Sequence, residues 1–225
     1  MSFGRDMSVS LSSVLAMTPE RLEYESEPLE LVDLDPDPFA QFQRWMDKAV
    51  TAQVPEPEAF VLSTVGANGA PSARTVLLKG FGRDGLVFFT NYRSRKGAEL
   101  EGDSRVAAVF LWLPLHRQVR VEGRTVKVDP STSDAYFASR PPEARLASAA
   151  SPQSEVVSER AELDELLAAI TSRYPDGNVP RPDHWGGYRI TPSVFEFWQG
   201  RQARFHDRFR YRLSNGHWLI ERLAP

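Results

Sequence analysis

Apolar residues recur along the chain at two different spacings. Between Pro38 and Gln53 they stand three or four positions apart, which predicts an amphipathic helix that begins where a segment rich in Pro and Asp ends. Between residues 59 and 128 they alternate with polar residues or form short runs bounded by turn residues, as β-strands do. The middle of the chain is therefore predicted to form a series of antiparallel hairpins.

The same pattern sets the expected elements. Strands are predicted at 59–66, 73–81, 85–91, 105–114 and 117–128, the last with a bulge at Gly123, and further strands at 187–191, 193–200, 203–213 and 217–223. Helices are predicted at 95–102 after a Ser94 cap, around 133–139, and at 159–174. We interpret the apolar stripe of this last helix as core packing; it consists of Leu163, Leu166, Leu167, Ile170 and Tyr174. Closely spaced antiparallel strands with a few inserted helices indicate a barrel of the α+β class.

Composition narrows the class of protein. The chain has 225 residues, 41% of them hydrophobic, and no cysteine, which excludes disulfides, zinc–thiolate sites, iron–sulfur clusters and cysteine nucleophiles. No apolar run is long enough to cross a bilayer and no secretory signal pattern is present, so we expect a cytoplasmic protein without membrane contact. Any redox chemistry must come from a bound cofactor.

Charge is distributed unevenly along the chain. Residues 1–40 carry nine acidic and two basic side chains, so residues 1–37 are interpreted as an acidic mobile arm and 38–225 as one folded domain. The remainder is mildly basic, which suits small anions better than nucleic acid. Neither a dinucleotide-binding glycine motif nor a P-loop occurs, and the four histidines lack metal-ligand spacing. Nucleic-acid binding and a metal site are therefore not expected.

Basic residues form two groups that could bind anions. The first alternates with apolar residues in the last hairpin, which indicates either a solvated edge strand or an anion site; it consists of Arg204, His206, Arg208, Arg210 and Arg212. The second group lies in the middle of the chain and consists of Arg74, Lys79, Arg93, Arg95 and Lys96. Arg74 and Lys79 would point to opposite faces of a regular strand. Trp198 and Gln199 offer a plane and an amide for a heterocycle, although core packing explains Trp198 equally well.

Several segments together resemble the pyridoxamine 5′-phosphate oxidases, in order and at appropriate distances. The resemblance runs from about Arg21 to Pro225 and is carried by the segments RTVLLKGF, VFFTNYRSRKGAEL, RQVRVEG, YFASRPP, PQSE, WGGYRITP, FEFWQGRQARFHDRFRY and the terminal ERLAP. It implies an FMN-binding split β-barrel with peripheral helices, assembled as a homodimer with FMN at the subunit interface. It also implies oxidation of phosphorylated B6 vitamers to pyridoxal 5′-phosphate by O2, with release of hydrogen peroxide.

The resemblance further implies which residues bind each ligand. FMN contacts fall on Arg74, Thr75, Val76, Leu77, Leu78, Lys79, Phe89, Thr90, Arg95, Lys96, Gln118, Gln153, Ser154, Trp198 and Arg208. Substrate contacts fall on Arg21, Leu22, Glu23, Tyr24, Lys79, Tyr136, Arg140, Arg204, Phe205 and His206, of which Arg204 and His206 would lie nearest the reacting carbon. Arg21 to Tyr24 would form a lid.

Two positions depart from the family pattern. Ala144 stands where a serine usually helps to bind the substrate phosphate, and Ala149 stands where a tryptophan is usual. Arg145 is a candidate to replace the lost hydroxyl donor. Two alternative functions stay open: a phenazine-biosynthesis type of flavin oxidase acting on an unphosphorylated acid, and a flavin- or pyridoxal-phosphate-binding protein with little turnover.

Overall fold

The computed structural model describes Tyr24 and residues 26–225. The substrate contacts expected at Arg21, Leu22 and Glu23 lie outside these residues. Within the described part, the strands are β1 (Ala59–Val65), β2 (Pro71–Leu77), β3 (Gly80–Gly82), β4 (Gly85–Asn91), β5 (Arg105–Trp112), β6 (Arg117–Lys127), β7 (Trp185–Gln199), β8 (Asp207–Ser214) and β9 (His217–Leu223). The helices are α1 (Pro38–Thr51), α2 (Arg95–Gly102), α3 (Pro130–Ser139), α4 (Pro142–Ala150) and α5 (Arg160–Arg173).

All strands belong to one antiparallel sheet in which β7 is the central member. The order of the main path is β2-β1-β5-β6-β7-β4-β3, and β8 and β9 continue the sheet from the second half of β7. Strand β7 pairs with β6 from Tyr188 to Gln199, with β4 through residues 185–190 and with β8 through residues 194–199. This arrangement confirms the predicted α+β antiparallel barrel with peripheral helices.

Aromatic side chains fill the concave side of the sheet. Alternate residues of β5 and β7 point inward, and helix α1 closes this side with Phe42 and Trp45, whose rings lie 5.0 Å from Phe110 and 5.2 Å from Phe197. All four of these side chains are buried. The predicted amphipathic helix α1 thus covers the main core.

The other side of the sheet, which we call the open face, is left partly uncovered by the residues that the structure describes. Its members are identified by the strand register, because residues directly opposite each other in antiparallel strands share a face. They include Val61, Val109, Leu111, Gln118, Trp198 and Arg208. Val61 and Leu111 are 40% and 53% exposed, although both are apolar.

Several local predictions are confirmed. Strand β4 and helix α2 have the predicted bounds, and the Ser94 side chain accepts a hydrogen bond from the Gly97 amide. The sheet register shifts between Glu122 and Gly123, as expected for a bulge. The last hairpin turns through Asn215 and Gly216, both with positive φ, which is the geometry of a two-residue hairpin turn.

Other predictions are wrong in instructive ways. The strand expected at 73–81 is split into β2 and β3, so Arg74 and Lys79 lie in different structural environments. The strands expected at 187–191 and 193–200 are one continuous strand, because Pro192 lies opposite Gly123 at the bulge, where the ladder is already interrupted. Helix α4 was not predicted.

The apolar stripe predicted for helix α5 is only partly core, since Ile170 and Tyr174 are half-buried and pack against the small core of Phe137, Val179 and Trp185. No residue of this helix is buried, and Leu166 and Leu167 are 38% and 37% exposed. The helix contacts α4 and leaves one side to solvent. The interpretation of the stripe as core packing is therefore confirmed for Ile170 and Tyr174 and wrong for Leu166 and Leu167.

Residues 26–37, the described part of the acidic segment, pack against the last hairpin. Leu29 and Leu34 are buried in the main core. The Leu29 amide donates to Asp207 at 3.0 Å, and the buried Tyr211 hydroxyl donates to the carbonyl of Asp35 at 2.7 Å. A hydrogen bond of this kind contributes about 1 kcal/mol, so these contacts hold the segment beside β8.

We expect Gly123→Ala to lower the free energy of unfolding by about 2–3 kcal/mol, because a Cβ at this position would lie 2.2 Å from the Thr191 carbonyl oxygen. Urea unfolding followed by circular dichroism measures the change. Gly82→Ala is the matched control, since no atom lies within 4 Å of the added Cβ. Equal stability of the two variants would contradict the assignment of Gly123 to a tight backbone crossing.

Candidate active site

The predicted site residues form two groups at opposite ends of strand β7. One group surrounds residues 185–188, where β7 pairs with β4, and the other surrounds Trp198, where β7 pairs with β8 and the beginning of β6. Gly186 and Trp198 are twelve residues apart, which corresponds to about 40 Å along an extended strand. The two groups are therefore well separated within one chain.

Lys96 is the centre of the first group. Its side chain is only 9% exposed, and its ammonium donates to Thr90 at 3.0 Å, Ser94 at 3.2 Å and Gln153 at 2.8 Å. All three partners are neutral oxygens. Among the described residues no carboxylate forms an ion pair with Lys96.

This environment changes the protonation of Lys96. Burial, reinforced by the nearby Arg74 guanidinium, lowers the pKa of Lys96 to about 8, against the opposing influence of Glu99. The side chain is thus still mostly protonated at neutral pH but is poorly stabilised as a cation. A bound anion would supply the missing negative charge.

Arg74 and Arg95 are held by one carboxylate. Glu99 lies 3.1 Å from Arg74 and 2.9 Å from Arg95, and it also accepts hydrogen bonds from Thr64 and Ser72. Burial opposes ionisation of Glu99, but these hydrogen bonds prevail and lower its pKa to about 2. Glu99 therefore stays charged and fixes both guanidinium groups at the start of α2.

Lys79 lies beside an aromatic stack. It lines a cavity of about 510 Å³ together with Val87, Phe89 and Tyr136. The Phe89 ring stacks on Tyr136 at 4.0 Å and on Trp185 at 5.5 Å. Lys79 and Tyr136 are thus brought together as predicted, whereas Lys79 and Arg74 are not.

Arg140 lines a second cavity, which borders the same aromatic group at Trp185. The cavity measures about 360 Å³, and the Arg140 guanidinium lies over the Trp185 ring at 4.8 Å and donates to Ser148 at 2.7 Å. Burial lowers the pKa of Arg140, with the neighbouring Tyr136 opposing that effect. Ala149, at a position where the family usually has tryptophan, packs with the small core around Phe137 and Trp185.

Aromatic rings form the second group. Tyr24 lies 4.3 Å from His116 and 6.0 Å from His206, and Trp198 lies 4.6 Å from His206. Gly200 makes this approach possible, because a Cβ there would lie 2.7 Å from the Tyr24 ring. Of the residues predicted to form the lid, Arg21 to Tyr24, the structure describes Tyr24, and its ring contacts His116 and His206.

His206 is held in a defined tautomer. Its Nδ1 accepts a hydrogen bond from the Arg201 amide at 3.1 Å. Burial and the neighbouring Arg204 lower the pKa of His206, while Asp207 opposes them. The imidazole is therefore neutral at pH 7 with its hydrogen on Nε2, which makes it a hydrogen-bond donor toward the site.

The cationic strand predicted for the last hairpin is largely neutralised. Arg208 pairs with the buried Glu196 at 2.8 Å, and Arg210 and Arg212 lie 2.8 Å and 3.8 Å from Glu221. Arg204 precedes the strand in a short turn and is exposed. The predicted alternation is present in β8, since Phe209 and Tyr211 are buried between the arginines, but carboxylates on β7 and β9 pair with those arginines.

The remaining predicted residues are distributed along these elements. Val76 and Leu78 pack against the main core, Thr75 and Leu77 are exposed on β2, and Gln118 lies opposite Trp198. Ser154 has positive φ next to Gln153, and Phe205 is 79% exposed. Sequence reasoning missed the roles of Trp185, His116 and Ser148, since none of them carries a local pattern that separates a site residue from a structural one.

Metal-binding clusters and membrane-spanning helices are both absent from the described residues. No group of His, Cys, Asp or Glu within them could hold a metal ion. No helix among them is long and apolar enough to span a membrane.

Comparison with protein families agrees with this arrangement. A family model described as pyridoxamine 5′-phosphate oxidase matches residues 46–164, and one described as the pyridoxine 5′-phosphate oxidase C-terminal dimerisation region matches residues 185–225. The chain is 49% identical over 205 residues to the pyridoxine/pyridoxamine 5′-phosphate oxidase of Acaryochloris marina, covering 91% of this chain and 94% of that protein. It is 52% identical over 206 residues to the protein of that name from Cupriavidus pinatubonensis, covering 91% and 97%.

Solved structures show the same architecture. PhzG from Burkholderia lata, in complex with tetrahydrophenazine-1-carboxylic acid, matches with a TM-score of 0.84 and 28% identity over 90% of this chain and 100% of that one. A pyridoxamine 5′-phosphate oxidase-related, FMN-binding protein from Nostoc punctiforme shares the fold with a TM-score of 0.67 and 19% identity over 85% and 100%. The sheet, the two groups of residues at its ends and these matches lead to one conclusion: the chain belongs to the pyridoxamine 5′-phosphate oxidase family.

Proposed function

We propose that the protein is an FMN-dependent oxidase that converts pyridoxine 5′-phosphate and pyridoxamine 5′-phosphate to pyridoxal 5′-phosphate. Electrons pass to O2, which gives hydrogen peroxide. The family membership and the names of relatives about 50% identical support this reaction. The observation that carries it furthest is the buried Lys96 ammonium, which has neutral partners and no carboxylate among the described residues.

The residues present fit an FMN molecule. Lys96 and the fixed guanidinium groups of Arg74 and Arg95 would bind its phosphate, because these cations are aligned at the start of α2. The second group would contact the ring system of FMN. Trp198 offers an aromatic plane, and the adjacent Gln118 and Arg208 offer hydrogen-bonding side chains. Thr90, Gln153 and Ser154 would complete the phosphate end.

Both groups can act on one flavin only if a second subunit takes part. The separation of about 40 Å along β7 exceeds what a single flavin mononucleotide can span. The open face carries apolar Val61 and Leu111 next to Gln118 and Trp198, and the matched dimerisation region includes Trp198 and Arg208. We therefore place the site between two copies of the chain, with the first group from one copy and the second from its partner.

The proposed roles of the chain's own residues follow from their positions. A bound FMN would supply the redox chemistry, namely acceptance of a hydride from the substrate and return of the two electrons to O2 as hydrogen peroxide. Lys79, Tyr136 and Arg140 bind the substrate phosphate at a distance from the reacting carbon and so fix its orientation. Arg204 and the Nε2–H of His206 orient the substrate ring, while Tyr24 covers His206 and limits access of water.

Turnover in air is the direct test. The FMN-loaded protein is supplied in parallel with pyridoxine 5′-phosphate, pyridoxamine 5′-phosphate and unphosphorylated pyridoxine, and pyridoxal 5′-phosphate and peroxide are measured. We expect turnover only with the phosphorylated compounds, because Lys79, Tyr136 and Arg140 bind the phosphate. Bound flavin without oxidation of any compound would instead favour a binding protein, and equal oxidation of pyridoxine would contradict the phosphate contacts.

We expect Lys96→Met to stabilise the FMN-free protein and to weaken FMN binding. The folded-state pKa lies below the unfolded value of 10.5, so charged Lys96 destabilises the fold below about pH 8, and this penalty fades as pH rises from about 8 to 10.5. At pH 7 the variant should gain roughly 1 kcal/mol in urea unfolding, and its Kd for FMN should rise at least about ten-fold by fluorescence titration.

Lys48→Met on α1 is the control for Lys96→Met, because it is the same substitution at an exposed lysine. Lys48→Met should change neither the free energy of unfolding nor the Kd for FMN. An unchanged Kd for FMN in Lys96→Met would remove Lys96 from the cofactor site.

A site shared between subunits predicts complementation. Lys96→Met disables the first group and Arg204→Ala the second, so each homodimer should be nearly inactive. After mixed refolding, half of the dimers are mixed and one of their two sites has both groups intact, which restores about a quarter of wild-type activity. No recovery in a mixture whose heterodimers are verified by mass would show that each site belongs to a single chain.

A further inference from the structure

The cavity around Arg140 contains a hydroxyl group that the family pattern does not assign. Ala144 and Ser148 both line this cavity and lie four residues apart on α4, so they share one face of the helix. Ser148 Oγ accepts a hydrogen bond from Arg140 at 2.7 Å. The Ser148 hydroxyl thus lies one helical turn beyond Ala144, the position where the family usually has a serine hydroxyl.

The Arg140 guanidinium needs an anion. Its partners in the described structure are the Ser148 hydroxyl and the aromatic rings of Trp185 and Phe137, and no carboxylate forms an ion pair with it there. Arg74 and Arg208, which are also half-buried, are by contrast each paired with a glutamate. A guanidinium desolvated on an aromatic face without such a partner is suited to an anionic ligand group.

Ser148 is oriented to contact the same anion. Its oxygen is occupied as acceptor by Arg140, and its own hydrogen donates to no group among the described residues. A phosphate oxygen that contacts the free N–H groups of Arg140 would come within reach of this O–H, since the two groups are already hydrogen-bonded. Asn91 and Gln153 add polar walls, and the cavity volume of about 360 Å³ accommodates a phosphate group with water.

Arg145 is a weaker candidate for the same role. Its side chain is absent from the residues that line the cavity, and its buried Nε has no hydrogen-bond partner in the structure. The neighbouring arginine therefore does not replace the hydroxyl at position 144, although its charge was the obvious substitute in the sequence.

We infer that Ser148 is a substrate-phosphate ligand of this enzyme, a hydroxyl relocated by one turn of α4 that binds the phosphate together with Arg140. This inference rests on the proposed oxidase function and deepens it. It makes residues 144 and 148 interchangeable as carriers of the hydroxyl. It also assigns Ser148 to binding of the phosphorylated form of the ligand and not to the oxidation step.

The test measures binding of pyridoxal 5′-phosphate and of pyridoxal to the FMN-loaded protein by calorimetry. Ser148→Ala should weaken binding of the phosphorylated ligand about ten- to hundred-fold and leave pyridoxal binding unchanged. In turnover the KM should rise by the same factor at constant kcat. Ser148→Thr, which keeps the hydroxyl, and the double variant Ala144→Ser/Ser148→Ala should both bind pyridoxal 5′-phosphate close to the wild-type level.

Thr171→Ala is the matched control, because it removes an exposed helical hydroxyl on the neighbouring α5. It should leave both affinities unchanged. Wild-type affinity of Ser148→Ala for pyridoxal 5′-phosphate, or an equal loss for both ligands, would overturn the inference while the oxidase function stands. If the wild-type protein itself bound pyridoxal 5′-phosphate no better than pyridoxal, the proposed function would fail and the inference with it.

Discussion

The hydrogen-bonding of strand β7 along its full length is the constraint on which the rest of the structure depends. Because β7 is paired with β6 from Tyr188 to Gln199, with β4 at one end and with β8 at the other, its backbone cannot bend to bring its ends together. The bulge opposite Pro192 lets a single strand run through a position where a regular ladder would break. The chain therefore presents two separated groups of residues, and the proposed site would join these groups where a second copy docks on the open face.

Carboxylates divide the cationic side chains into two classes. Glu99 holds Arg74 and Arg95, and the buried Glu196 holds Arg120 and Arg208, so these guanidinium groups are oriented before any ligand arrives. Lys96 and Arg140, in contrast, have only neutral or aromatic partners among the described residues. An arginine paired with a carboxylate is held in a fixed orientation toward a ligand. A cation without such a partner instead contributes affinity for an anionic ligand. Sequence alone does not reveal this division, because it depends on which glutamate the fold brings near.

The features that sequence predicted well are those set by local chemistry. The Ser94 cap, the Asn215–Gly216 turn and the period of α1 each follow from a few adjacent residues. Long-range pairing accounts for the failures. Pro192 is compatible with a continuous strand because Gly123 lies opposite it, and Leu166 and Leu167 of the α5 stripe are left at the surface because only the Ile170 and Tyr174 end of that stripe meets a core. The resemblance to a known family supplied the grouping of the site residues, and Ser148 was missed because it stands where the family pattern has no hydroxyl.

The burial of Lys96 links the lifetime of the protein to its cofactor. For a chain that binds FMN through this ammonium, the flavin-free fold contains a desolvated charge that the flavin phosphate neutralises, and the free energy of cofactor binding adds directly to the stability of the folded state. Newly made chains that have not acquired flavin are then the ones most often unfolded and most exposed to proteases. Under the proposed function, a shortage of flavin would therefore lower the amount of folded protein as well as its cofactor occupancy.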